Sequence, residues 1–167
     1  MLLVLGTVLL VLGTVILAGC GGSGAAKPQD DWQSVRGPGF RFEAPVGWKV
    51  ERAKARVSAS KDAELVQVAT FPLLKAYDAK LFDKVARELQ VRMREIAGQT
   101  KGTLSGGRTV EADGIRSHAY DVTVGEQVDE YTFVLAGKRE YLLLCRRASD
   151  DDPSEVCLRL ATSFQRA

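Results

Sequence analysis

The chain has 167 residues, 46% hydrophobic and 26% charged, which suits one globular domain with one core. Its formal net charge is +2, and from Lys27 onward Lys and Arg are interleaved with Asp and Glu without a basic tract. That pattern argues against nucleic acid as a partner, because phosphate binding needs a concentrated basic face.

Residues 2–17 are apolar apart from Thr7 and Thr14, with Gly6 and Gly13 as the other breaks. The run repeats at seven residues, a low-complexity stretch selected for greasiness, and closes with Leu17-Ala18-Gly19-Cys20. This ending resembles the lipobox of bacterial lipoproteins: an aliphatic residue, two small residues and a cysteine. The resemblance implies a diacylglyceryl thioether on Cys20 and cleavage before it. The protein would then be anchored on the extracytoplasmic face of the cell membrane, or in an outer membrane where the cell has one. Secretory signals usually start with basic residues, whereas Met1 is followed directly by Leu2. Either translation begins upstream or the signal is atypical. The competing reading is an uncleaved transmembrane helix, since the run approaches the ~18–20 residues that a span requires.

Gly21-Gly22-Ser23-Gly24 and the polar residues after it have too little apolar surface to offset their ordering entropy, so a flexible tether is expected. We assign 1–19 to the signal peptide, 20–34 to the tether and 35–167 to the globular domain. Alternation of Phe40, Phe42 and Ala44 with charged residues predicts a strand. Pro45-Val46-Gly47 is a turn, and further strands are expected from Trp48, around 57–60 and over 65–71.

Leu81, Phe82, Val85, Leu89, Met93 and Ile96 form one stripe at helical spacing, which predicts a helix over 79–97. Asp78 suits its N-cap and Gly98 its left-handed end. Lys84, Arg87, Arg94 and Glu95 on the opposite face are either a docking surface or a solvated face. Lys101-Gly102 lies in a Gly-rich loop but lacks the spacing of a phosphate loop.

Four strands follow, at about 107–112, 115–124, 127–136 and 139–147. Asp113-Gly114, Gly125-Glu126 and Gly137-Lys138 punctuate them, the first being a strong hairpin signal. The last helix is expected to be capped by Asp152, with Pro153 in its first turn and Glu155 completing a capping box. Its buried stripe is Val156, Cys157, Leu160, Ala161 and Phe164. Asp150, Asp151 and Asp152 suit a helix N-terminus better than a metal site.

Alternation places Cys145 on one strand face with Tyr141 and Leu143, and Cys157 lies on the last helix's apolar stripe. A disulfide between them would pin that helix to the sheet; two buried free thiols are the alternative. His118 is the single histidine. It has no plausible zinc partners, and no nucleophile elbow accompanies Ser117, so a structural strand position is expected. No catalytic residue, metal or cofactor is assigned.

Phe40-Arg41-Phe42-Glu43-Ala44-Pro45-Val46-Gly47-Trp48 resembles the opening of the PsbP photosystem subunits and the LpqN-type actinobacterial lipoproteins. The long first helix, Val110-Glu111-Ala112-Asp113-Gly114 leading to Ala119-Tyr120, and a closing helix ending in Ser163-Phe164 extend the likeness over about residues 35–165. The resemblance implies an α+β fold, an α/β/α sandwich around a central antiparallel sheet. It also implies a non-enzymatic accessory or partner-binding role; the anchor and tether add a cell-envelope protein or other envelope component as the expected partner. The alternative is a carrier of a small apolar ligand or lipid. A carrier needs an apolar cavity, a docking module an exposed patch, and an enzyme clustered titratable groups in a cleft.

Overall fold

Burial alternates along the strands with a period of two, and that alternation sorts the side chains into two layers. The structure is a computed structural model that describes residues 31–150 and 154–167. The strands are β1 (Trp32–Gly37), β2 (Phe40–Pro45), β3 (Lys49–Ala53), β4 (Arg56–Lys61), β5 (Glu64–Pro72), β6 (Thr103–Leu104), β7 (Arg108–Ala112), β8 (Ile115–Val124), β9 (Gln127–Ala136), β10 (Arg139–Ala148) and β11 (Gln165–Arg166). A 3-10 turn (Ala79–Leu81) leads into helix α1 (Phe82–Thr100), and helix α2 (Glu155–Ser163) precedes β11.

The main sheet runs β3-β4-β5-β10-β9-β8-β6, with β7 also paired to β8; a small sheet runs β1-β2-β11. Every pairing is antiparallel. The expected α+β fold with a central antiparallel sheet is what forms. In β9, Phe133 and Val134 are neighbours in sequence but lie in opposite cores. Phe133 packs with Leu89, Met93 and Ala97 of α1 and with Tyr120 and Val122 of β8. Val134 packs with Tyr141, Leu143 and Cys145 of β10, Cys157 and Leu160 of α2, and Phe40 and Phe42 of the small sheet. The sheet therefore has α1 on one face, and α2 with the small sheet on the other.

Several expectations need correction. β1 begins at Trp32, so residues 32–34, assigned above to the tether, pair with β2. Asp78 does cap, accepting from the Lys80 amide at 2.9 Å, but it caps the 3-10 turn. Gly98 does not end α1: the helix continues to Thr100 and Lys101 takes the left-handed position, with φ of 55°. Gly102 follows because a Cβ there would lie 2.8 Å from the Thr123 carbonyl oxygen. The expected cap and first-turn residues of α2, Asp152 and Pro153, lie outside the described residues. Ser154 stands at the N-cap and Glu155 is the first helical residue, so the capping-box spacing does not arise.

Candidate functional site

Two concavities flank the N-terminal half of α1. The first is an apolar groove of about 340 Å³ between α1 and the segment that leaves β5. Leu73, Tyr77 and Leu81 form one wall, Val85 and Leu89 of α1 the other, and Leu135 part of the floor. The segment is fixed to the β9–β10 turn by two backbone bonds, Leu73 N–H to the Lys138 carbonyl (2.9 Å) and Tyr77 N–H to the Gly137 carbonyl (2.7 Å). Burial raises the Tyr77 phenol above its ordinary pKa, keeping it neutral.

Outside the wall, Leu74 is fully exposed, and Phe71 and Leu81 are each more than 40% exposed. The sequence places Leu81 on a buried stripe; it instead turns to the open groove. Arg92 and Glu140 close one end, 2.9 Å apart, with Glu140 only 8% exposed. The Arg92 guanidinium also lies 5.3 Å from the Phe133 ring centroid and 5.9 Å from that of Phe71. A cation held by a carboxylate and two rings is fixed in position, and it brings charge to one end of a mostly apolar groove.

The second concavity, about 330 Å³, lies between the opposite flank of α1 and the β7–β8 hairpin. Here β8 is stitched to the helix. The Phe82 carbonyl, one turn before that of Ala86, accepts from His118 Nε2 at 3.1 Å. The Ala86 carbonyl accepts from the Tyr120 hydroxyl at 3.0 Å. Residues two apart on a strand thus meet residues four apart on a helix.

His118 is 5% exposed and its ring stacks on Phe82 at 3.8 Å. Burial is the main cause holding its pKa below the ordinary imidazole value, and the Arg116 charge adds to it. Ser117 points to the opposite sheet face, its hydroxyl donating to the Ile115 carbonyl at 3.0 Å. Asp121 binds Arg108 at 2.8 Å. Ser117, His118 and Asp121 therefore form no triad.

A pH dependence follows. The unfolded chain binds a proton at His118 more readily than the native state does, so stability rises with pH through this window. Urea midpoints should be highest above about pH 6.5 and fall as His118 is forced to protonate below it. Glu130 acts with the opposite sign, since burial raises its pKa despite Arg108. His118→Gln should remove the His118 part of the slope between pH 7.5 and 5.5 and leave the opposite-signed Glu130 part; an unchanged slope would refute the assignment.

Arg108 bridges Asp121 and Glu130, each at 2.8 Å, and Arg146 forks onto Asp129 at 2.6 and 2.8 Å. These pairs are internal to the sheet surface. Among the described residues no group of three or more His, Cys, Asp or Glu side chains is placed to hold a metal ion. No described helix is long and apolar enough to cross a membrane. Cys145 and Cys157 stand at disulfide distance, Cα to Cα 5.4 Å, joining β10 to α2. Cys20 lies outside the described residues.

An antiparallel sheet covered by one long helix on one face, and by a short helix with a three-stranded ribbon on the other, is the PsbP-like fold. No family model matches the chain, and no curated protein does. Among solved structures, cyanobacterial PsbP (CyanoP) from Synechocystis sp. PCC 6803 superposes with a TM-score of 0.62. The match covers 90% of this chain and 99% of that one at 19% identity, a likeness of fold. A Bacteroides thetaiotaomicron protein matches with a TM-score of 0.47 and 9% identity, over 82% of this chain and 49% of that one.

Proposed function

We propose that this chain is an extracytoplasmic lipoprotein, held to the membrane through Cys20, whose PsbP-like domain is a non-enzymatic accessory module that docks a cell-envelope protein. The observation that carries the docking role is the groove beside α1, with Leu74 fully exposed at its edge. Its apolar walls are bordered by Lys75 and Glu88 and closed by the Arg92–Glu140 pair. An apolar centre with a rim of both charge signs is how protein interfaces are commonly built. Each buried methylene contributes about 0.8 kcal/mol, so two or more acyl chains anchor firmly and the domain itself is free to meet a neighbour.

The test is photocrosslinking in the native envelope from a probe at position 74, with a second probe at Lys61 at the end of β4. A discrete adduct is expected from position 74 alone, and Leu81→Asp should reduce it at least tenfold without changing thermal stability. Identical adducts from both positions would refute the docking role. A second reading, a carrier of a small apolar molecule, is favoured by the groove's volume, which lies within the usual range for ligand sites. A stoichiometric apolar ligand in native mass spectra, displaced by Leu81→Asp, would select it.

A further inference from the structure

The polar cleft on the other flank of α1 carries two arginines, Arg87 and Arg116, that are in no ion pair among the described residues. Arg116 Cζ lies 3.9 Å from the centre of the Phe82 ring, and the His118 ring lies 3.8 Å from the same centre. Two groups at those distances cannot share one face, so Phe82 is sandwiched between them. The sandwich orients the Arg116 guanidinium by stacking; among the described residues it is in no ion pair, although Glu111 is its cross-strand neighbour. Arg87, on the facing side of the cleft, is likewise in no ion pair among the described residues. Arg108 in the same wall differs, since Asp121 and Glu130 satisfy it. Apart from the two carboxylates that hold Arg108, the carboxylate lining the cleft is Asp83, and Glu111 stands opposite Arg116 across the β7–β8 pair.

We infer that this cleft binds a phosphate-type oxyanion between Arg87 and Arg116, borne either by a soluble phosphoester or by a lipid headgroup. Guanidinium forks match phosphate oxygens in pairs, and a guanidinium already oriented by a ring loses less freedom on binding. Gln90 on the α1 side and Thr109 on the β7 side supply neutral hydrogen-bonding groups. The site lies across α1 from the docking groove and does not depend on it.

His118 provides the assay, because it is the only histidine in the chain and lines this cleft. The full chain, labelled at histidine and purified in neutral detergent, is titrated with inorganic phosphate, with glycerol 3-phosphate, and with micelles doped with phosphatidylglycerol. Sodium chloride at matched ionic strength is the blank. Saturable movement of the imidazole resonances is expected beyond the blank. Saturation by the soluble anions assigns a soluble phosphoester, whereas saturation only by doped micelles assigns a headgroup. Arg116→Gln and Arg87→Gln should each weaken binding about tenfold, as loss of a charge-assisted bond does. Asp83→Asn should strengthen it. Arg87 is exposed and outside the sandwich, so its variant keeps the test sound if Arg116→Gln disturbs the fold. No saturable movement in any arm, or equal affinity in Arg87→Gln, would overturn the inference.

Discussion

Phe42→Ala should destabilise the domain by about 4 kcal/mol, the middle of the range for truncating a buried phenylalanine. Phe42 is 1% exposed, opposite Val35 of β1, with its ring 6.3 Å from that of Phe40. Its strand is held on both sides, by β1 and by β11, and α2 packs over it. The backbone is therefore poorly placed to collapse into the cavity, and most of the lost packing goes uncompensated. Native domains are stable by only about 5–15 kcal/mol, so this single change removes a large fraction. For a domain this size the thermal midpoint should fall by roughly 10–15 °C. Leu74→Asp is the matched control: its side chain is fully exposed, and stability should change by less than about 0.5 kcal/mol. A shift of less than about 1 kcal/mol in Phe42→Ala would mean that the small sheet does not share the main core.

The long hairpin run was legible because its turns demand unusual backbone. Asp113, Gly114, Gly125 and Gly137 all have positive φ, and between them the strands alternate cleanly. The disulfide-distance pair was legible for the same reason: strand parity places Cys145 inward, and helical spacing places Cys157 inward. The end of α1 was not, because Gly98 is tolerated within the helix, whereas Gly102 is needed for a close backbone approach invisible in a linear pattern. β6 and β11 have two residues each, too few for any period, and exist through pairing with β8 and β2. The groove was hidden at Leu81, since a stripe says which side chains align and not which of them a neighbour covers. Leu73 and Tyr77 sit in a segment without periodicity, and two backbone bonds to a distant turn create the wall. Arg116 and Phe82 are far apart in sequence, so their sandwich could not be read from either motif.

Replacing Cys145 and Cys157 together by alanine should lower stability by about 3 kcal/mol, the chain-entropy expectation for a short closed loop. The two cysteines are 12 residues apart and buried, and they tie β10 to α2. α2 has nine residues, below the length at which a helix persists alone in water. It is held by Cys157, Leu160 and the adjacent Phe164, so cutting the tie loosens the layer that also covers β2. The thermal midpoint should fall by roughly 10 °C, and dithiothreitol should reproduce the loss in the unmodified chain. The compartment enters here, since this bond forms and persists where thiols are not kept reduced. Protein made in a reducing cytosol should therefore match the alanine pair in stability, and exported protein should exceed it by the full amount. Thiol titration of the exported protein, denatured but unreduced, then reports on all three cysteines of the chain. On the proposed lipidation of Cys20, no free thiol is expected, because Cys20 would be a thioether and the other two a disulfide. One thiol would point to an unalkylated Cys20. Two would mean that β10 and α2 meet through reduced sulfur, and then neither dithiothreitol nor the compartment should move the midpoint.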